Sequence, residues 1–215
     1  MVRALLDGRK TQTRRLLSLS GYREFTEFGK SEAVGFEWTF RRADMCWCDF
    51  TDEEMMKLLP YSVGDRLYVR EAHRAIGGGT LNYCTRPEHL DFRASPPSDI
   101  TGNMERDFWD SMDKWHPGIH HHRQLTRLTL TVTDVRVQRL QDISEEDAVA
   151  EGIEHVMTTS SGKFYRNFDN EHCPILPVGS FRSLWNSLNA KRAPWDSNPW
   201  VVAVSFDVKK GNIDA

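Results

Sequence analysis

Long apolar runs are missing from this sequence, and so is any excess of positive charge. No stretch approaches the roughly 20 apolar residues that a membrane-spanning helix needs. The opening segment, which includes Arg3 and Asp7, is too short and too charged for a secretory signal. The formal net charge is -3, so nucleic-acid contact requires a local basic patch. We therefore expect a globular, cytoplasmic protein with no membrane partner.

Cysteine is also scarce, with 4 in 215 residues, which does not suit a secreted disulfide framework. Cys46 and Cys48 form a C-x-C pair that could bind zinc with a distant partner. Zinc knuckles use C-x-x-C spacing, however, and the two cysteines of C-x-C in a strand simply share a face. The histidines from His116 to His122 lack a carboxylate at ligand spacing, which favours a solvated loop. We expect no native metal and no cofactor.

Regular elements alternate with long irregular stretches, and no internal repeat is present. Three glycines at 77–79 are not followed by Gly-Lys-Ser/Thr, which excludes a P-loop. The periodicity of apolar residues predicts strands at 66–70, 127–137 and 200–208, and helices at 1–7, 144–152 and from Ser180. Thr51 and Glu54 fit a capping box that begins another short helix. We expect one α+β domain over 1–215, with insertions at about 18–60, 75–118 and 154–177.

Residues 8–15, Gly-Arg-Lys-Thr-Gln-Thr-Arg-Arg, offer the most chemistry. Gly8 stands where a helix C-cap with positive φ is expected, so an extended segment should follow it. A lysine beside hydroxyl groups can act as the base for a threonine nucleophile. Alternate side chains of an extended chain share a face, so Lys10 and Thr13 point together only if the backbone turns between them. The alternative is an ordinary cationic surface.

Gly8, Lys10 and Arg15 resemble the G-x-K-x-x-E-x-R signature of the ASCH domain family, which belongs to the PUA-like barrels associated with RNA. Thr13 stands where that signature has glutamate. Small bacterial ASCH proteins that hydrolyse N4-acetylcytidine have the same Gly-x-Lys-Thr-x-Thr-x-Arg form. Residues 64–71 are similar to the GD-x-L-x-V-R-E strand of phage-type ASCH proteins.

The resemblance covers about half of the chain, in 1–17, 61–74, 119–153 and 178–208. It implies an α+β fold built on a PUA-like (ASCH) β-barrel with flanking helices and large loop insertions. Family members usually have a short strand before the first helix, and we expect this strand to be missing here.

Glu151 lies in the last turn of the helix that Ser144 begins, where the helix dipole disfavours a carboxylate, and an acid in that position is a functional candidate. The resemblance implies that Lys10, Thr13 and Glu151 are catalytic. Arg70 and Glu71 either approach the site or form a surface ion pair. Further contacts with substrate or phosphate are expected from Arg9, Thr11, Arg14, Arg15, Arg70, Glu71, His120, Arg123 and Arg127.

Two functional classes follow. As an enzyme, the protein would be an amidohydrolase that acts on N4-acetylcytidine or on modified RNA. As a binding module, it would hold a nucleoside or an RNA segment without chemistry. A ribonuclease activity, known among ASCH relatives, lies between them. The insertions could equally bind a protein partner, and the likeness to prophage-type proteins makes a host-directed role conceivable.

Overall fold

The computed structural model describes residues 2–22, 25–75, 90–94, 115–169 and 175–214. Within these ranges the chain forms four α-helices and eleven strands. The helices are α1 (Val2–Leu6), α2 (Asp52–Leu58), α3 (Glu145–Ala150) and α4 (Pro177–Asn189). The strands are β1 (Gln12–Leu16), β2 (Phe25–Lys30), β3 (Trp38–Arg42), β4 (Trp47–Phe50), β5 (Arg66–Tyr68), β6 (His73–Ala75), β7 (Leu90–Phe92), β8 (Leu128–Arg139), β9 (His155–Thr159), β10 (Gly162–Tyr165) and β11 (Trp200–Lys210).

The mixed α+β class that the sequence predicts is confirmed. Hydrogen bonding orders one four-stranded sheet as β1-β11-β8-β5, and smaller sheets form from β2-β3-β4, β6-β7 and β9-β10. All the strand pairs with a defined register are antiparallel. The strands of the described residues form no closed barrel. None of the described helices is long and apolar enough to cross a membrane.

The chain divides into two compact units. Unit 1 consists of residues 1–11, 66–131 and 206–215, and unit 2 of residues 12–65 and 132–205. In unit 1, β5 pairs with the beginning of β8, and β6 pairs with β7. Its buried residues include Leu5, Phe92, Leu125 and Leu128. Most of the predicted insertion at 75–118 lies outside the described residues.

In unit 2, β1 pairs with residues 201–205 of β11, and one hydrophobic core gathers residues from β11, α3 and α4. Trp185 and Phe181 belong to this core, as the helical spacing of aromatic residues predicts. A second group of rings joins the sheet β2-β3-β4 to the start of β11, where Trp200 meets Phe28 and Trp38 edge to face. The predicted insertion at 18–60 is therefore a packed three-stranded sheet with a helix.

Several local predictions are confirmed, and one is wrong. Gly8 has φ +69 and follows α1, as a C-cap glycine should. Thr51 and Glu54 form the predicted capping box at α2. Ser180, however, does not begin the last helix, because Pro177 already occupies its first turn and Leu176 is the N-cap. The Ser180 hydroxyl instead donates to the Arg166 carbonyl, 2.6 Å away.

Candidate functional site

Strand β1 presents two different faces, because successive side chains of a strand point to opposite sides. Gln12 and Arg14 are buried on one face, whereas Thr13 is half-buried and Arg15 is exposed on the other. The register is fixed by β11, with Thr13 opposite Val204. The strand therefore directs Arg14 inward and directs Thr13 and Arg15 away from it.

The buried face of β1 meets helix α3 through ion pairs. The Arg14 Nη2 group donates to the Asp147 carboxylate at 2.7 Å, and Nη1 donates to the Glu151 carboxylate at 3.3 Å. The Gln12 amide donates to Asp147 at 3.2 Å and to the Ser205 hydroxyl at 3.1 Å, while its oxygen accepts from Arg14. Two segments predicted from sequence to share a site thus meet within unit 2.

Asp147 and Glu151 reach Arg14 together because they are four residues apart and lie on the same side of α3. Ser144 begins this helix, and its hydroxyl accepts from the Asp147 backbone nitrogen. The sequence did not single out the Asp147 side chain as a partner of Arg14. The i, i+4 spacing with Glu151 was the signal that could have identified it.

The electrostatics of this network favour the ionised form of Asp147. Burial opposes ionisation, but the Arg14 guanidinium, the Gln12 amide and Arg136 outweigh it and hold the pKa of Asp147 below its usual value of 3.8. Arg136 reaches the same carboxylate at 3.3 Å from the solvent side. Arg14 is therefore tied to internal carboxylates and is not a free cation for a ligand, contrary to its predicted role as a phosphate contact.

Lys10 belongs to unit 1, whereas Thr13 and Glu151 belong to unit 2. Lys10 and Glu151 are both buried, with exposed fractions of 5% and 7%. Burial of charged side chains is costly, so each of these residues is held for a structural or chemical reason. The convergence of Lys10, Thr13 and Glu151 in one catalytic site stays a prediction.

Three predicted contact residues of unit 1, all arginines, pair with acids of the same unit. Arg127 forms a bidentate ion pair with Glu71, in which Nε donates to Oε1 at 3.0 Å and Nη2 donates to Oε2 at 2.8 Å. Arg123 pairs with Asp214 at 2.7 Å and Arg9 with Asp7 at 3.0 Å, and both of these pairs are exposed. These arginines are therefore neutralised where they stand.

Three predicted contact residues of unit 1 form no ion pair in the described structure: Arg70, Thr11 and His120. Arg70 donates to the Tyr68 hydroxyl at 3.0 Å, so the proposed Arg70–Glu71 surface pair is replaced by the buried Glu71–Arg127 pair. Thr11 is exposed, and its carbonyl accepts from the Phe206 backbone nitrogen. His120 is exposed in a short 3-10 turn.

The histidine-rich stretch is only partly the solvated loop that the sequence predicts. His120 and His122 are exposed, but His121 is buried against His73, a residue that sequence reasoning missed. No group of three or more His, Cys, Asp or Glu suited to a metal ion occurs in the described ranges. Cys46 and Cys48 are free thiols, while Cys84 and Cys173 lie outside the described residues.

A cleft of about 250 Å³ opens in unit 2 beside Arg14. Among the described residues, its lining includes Arg14, Arg15, Tyr61, Trp185, Asn189 and Arg192, and no acidic residue. Arg15 and Arg192 are exposed, and neither forms an ion pair within the described part of the chain. Tyr61 and Arg192 were not among the predicted site residues, because they are distant in sequence from 8–15.

The aromatic residues of the cleft differ in how firmly they are held. The Trp185 indole donates to the Ala193 carbonyl at 2.8 Å and is part of the core, so it forms a fixed wall. Tyr61 is half-buried, and in the described structure its ring stacks on no other ring and its hydroxyl has no hydrogen-bond partner. The cleft thus offers two free guanidinium groups and one free aromatic ring.

Comparison with known proteins adds no family to this description. The chain matches no protein-family model, no curated protein and no solved structure. The resemblance to ASCH domains therefore rests on the quoted residues alone.

Proposed function

We propose that the unit 2 cleft binds one nucleotide unit of an RNA strand. One observation carries this proposal: within the described part of the chain, Arg15 and Arg192 form no ion pair and no acidic residue lines their cleft. Guanidinium groups bind phosphate through planar, charge-assisted hydrogen bonds. The free ring of Tyr61 is suited to stacking on an unpaired base. The volume of about 250 Å³ is below the usual range of 300 to 1,000 Å³ for drug-sized ligands, which favours a single nucleotide unit.

The proposal also agrees with the charge of the chain. At a net charge of -3 the protein as a whole does not attract RNA, so binding depends on the two arginines of the cleft. The cleft borders β1, the strand that carries Thr13 and Arg15 of the ASCH-like signature, and an ASCH assignment in the PUA-like group remains part of this proposal.

Titration of a short single-stranded RNA at two salt concentrations tests the cleft. We expect affinity to fall as salt rises, and Arg15→Gln or Arg192→Gln to weaken binding by about 5- to 30-fold each, because each removes a charge-assisted contact of roughly 1 to 2 kcal/mol. Lys191→Gln is the matched control, since Lys191 is an exposed neighbour of Arg192 that does not line the cleft.

Tyr61 separates base stacking from phosphate attraction in the same titration. Tyr61→Phe should retain binding, whereas Tyr61→Leu should lose about 1 to 3 kcal/mol of stacking. If all of these variants bind RNA as the wild type does, the cleft is not the binding site and the proposal fails.

A second candidate function is an amidohydrolase for N4-acetylated cytosine, and one observation favours it. The signature strand β1 and the helix of Glu151 are joined by Arg14, as a shared site would require. In this hypothesis the Thr13 hydroxyl attacks the acyl carbon, Lys10 takes the hydroxyl proton, and the cytosine amine leaves with a proton. Water then releases the acyl group from Thr13.

Incubation with N4-acetylcytidine and with acetylated RNA, followed by chromatography for the deacetylated base, tests the second candidate. Lys10→Ala, Thr13→Ala and Glu151→Ala should each lose several orders of magnitude of rate, each factor of ten being about 1.4 kcal/mol of barrier. Because β1 directs Thr13 away from Arg14, full activity in Thr13→Ala would transfer the nucleophile role to water. If the wild type deacetylates neither substrate but still binds RNA, the enzyme hypothesis fails and only the binding function remains.

A further inference from the structure

Residues 115–122, here called the histidine segment, lie against strand β6 in unit 1. His116 and His73 exchange backbone hydrogen bonds of 2.8 and 3.1 Å. Gly118 passes so close to the chain before β6 that an added Cβ would lie 3.1 Å from the Arg70 carbonyl oxygen. His121 packs its ring edge to face on His73, with 4.9 Å between ring centroids. Of these contacts, only the one between two imidazoles can titrate.

The proton positions of the two buried rings follow from their partners. His73 Nδ1 lies 2.9 Å from the backbone carbonyl oxygen of Glu71, and a carbonyl oxygen only accepts, so His73 carries a proton on Nδ1. His121 Nδ1 lies 3.4 Å from the same nitrogen and must face it with a lone pair. His121 is thus neutral, with its proton on Nε2, which is buried and, like His73 Nε2, has no hydrogen-bond partner among the described residues.

An added proton has no suitable place in this arrangement. On His121 it would occupy Nδ1 and oppose the N–H of His73, so two donors would face each other. On His73 it would occupy Nε2, which is buried and has no hydrogen-bond partner. The exposed fractions of His73 and His121 are 0% and 4%, so water cannot solvate either cation without movement of the histidine segment.

The surrounding charges increase this cost. His122 follows in the chain, His116 stacks on His73 at 6.0 Å between centroids, and the cations Arg70 and Arg127 are nearby. The carboxylate of Glu71 already accepts two hydrogen bonds from Arg127, so its negative charge is largely offset by that guanidinium group. Burial, followed by His73, His122 and the two arginines, lowers the pKa of His121 from 6.5 to about 4.

We propose that the His73–His121 contact makes the docking of the histidine segment on β6 acid-sensitive, so that the segment separates from β6 when His121 takes up a proton. The predicted contact residues His120 and Arg123 lie within this segment or directly after it. Separation of the segment would therefore move His120 and Arg123 at mildly acidic pH. It is independent of the RNA-binding cleft, whose residues all belong to unit 2.

The direction of the effect follows from linkage. The undocked histidine binds a proton near pH 6.5, whereas the docked one does so near pH 4, so docking loses stability as pH falls through that interval. Below about pH 4 both states are protonated, and this group contributes no further loss. Between pH 7 and pH 4.5 the undocked fraction should rise on the order of 50-fold.

Hydrogen exchange of the His73 and His116 backbone amides, measured by NMR between pH 7 and pH 4.5 and corrected for intrinsic rates, tests the proposal. Protection of these amides should fall on the order of 50-fold in the wild type and stay nearly constant in His121→Gln. His155→Gln is the control, because His155 is an exposed histidine of unit 2. Amides of the β1–β11 pairing in unit 2 report global unfolding.

Three results would overturn the proposal. One is an equal loss of protection in His121→Gln, and another is an equal loss in the β1–β11 amides. The third is a His121 imidazole that titrates near pH 6.5 in wild type whose histidine segment stays protected. The imidazole titration needs no variant, so it decides the question even if His121→Gln fails to fold.

Discussion

The two units each bury an arginine against carboxylates, but they use it differently. In unit 1, Arg127 gives Nε and Nη2 to the two oxygens of Glu71, and 24% of the Arg127 side chain remains exposed. In unit 2, the Arg14 side chain is fully buried and divides its donors between Asp147 and Glu151, leaving Nε without a partner. The first is a closed pair of opposite charges. The second is a single cation that fixes two carboxylates on a helix.

This difference shows why residue type alone does not identify a ligand contact. Arg14 and Arg15 are neighbours in sequence, and both were expected to bind phosphate. Both residues line the cleft, but the strand buries the Arg14 side chain against the carboxylate of Asp147 and leaves Arg15 exposed. The alternation of β1, and not the density of positive charge, decides which arginine is free.

Removal of Arg14 should have the largest effect on stability. Arg14→Ala leaves Asp147 and Glu151 without their central partner, and breaking a buried ion pair from one side costs about 3 to 5 kcal/mol. Urea denaturation followed by tryptophan fluorescence measures the change in the free energy of unfolding. Arg15→Ala is the matched control and should cost less than about 0.5 kcal/mol. Equal costs for the two variants would show that the Arg14 network is not structural.

Disruption of the Glu71–Arg127 pair should lower the free energy of unfolding less than removal of Arg14 does. Glu71→Gln retains the shape of the side chain but removes its charge, and because Arg127 is partly exposed, water can solvate its guanidinium. We expect a loss of about 1 to 3 kcal/mol, again from urea denaturation. Glu27→Gln is the control. It alters the exposed pair with Arg41 and should leave the midpoint of urea denaturation unchanged. A loss for Glu71→Gln as large as that for Arg14→Ala would remove the contrast between the units.

Asp147 in unit 2 and His121 in unit 1 should lose their contributions to stability in different pH ranges. The lowered pKa of Asp147 means that its unfolded form takes up a proton near pH 3.8 while its folded form resists, so its contribution to stability is present above that pH and lost below it. Asp147→Asn should therefore flatten the stability curve below about pH 4. The loss attributed to His121 falls earlier, between pH 6.5 and about 4. Denaturation at closely spaced pH values resolves the two windows.

The smallest effect is expected at Arg123. Its pair with Asp214 has the same 2.7 Å separation as the Arg14–Asp147 pair, but the side chains are 53% and 52% exposed. Arg123→Gln should leave the denaturation midpoint unchanged, because water replaces the lost partner. A measurable loss at this position would mean that distance rather than burial sets the strength of these pairs.

Much of the local structure could be predicted from the sequence, because the relevant forces act over a few residues. The turn at Gly8, the capping box at Thr51 and the start of α3 at Ser144 each depend on near neighbours. The start of α4 was missed because Ser180 resembles a cap, whereas Pro177 begins the helix three residues earlier.

The candidate site was only partly predictable. The contact between β1 and α3 follows from two motifs that are far apart in sequence, but the partners of each charge depend on which face of an element is buried. Tyr61 and Arg192 carry no motif, and they share a cleft with Arg15 only because the fold gathers them. His73 gave no signal, since a single histidine in a short strand has no characteristic spacing. Pairings of this kind are properties of the fold rather than of any one segment.

Asn212 sets a practical boundary for truncation. Its side-chain amide donates to the backbone carbonyls of Arg123, Gln124 and Thr126, at 3.2, 2.8 and 3.1 Å. A protease that cuts before this residue would remove this donor from all three carbonyls, although the Arg123 carbonyl would still accept from the Thr126 backbone nitrogen at 3.2 Å. Expression variants should therefore keep residues 212–214, and loss of these residues during purification can be recognised by mass spectrometry before any binding measurement is interpreted.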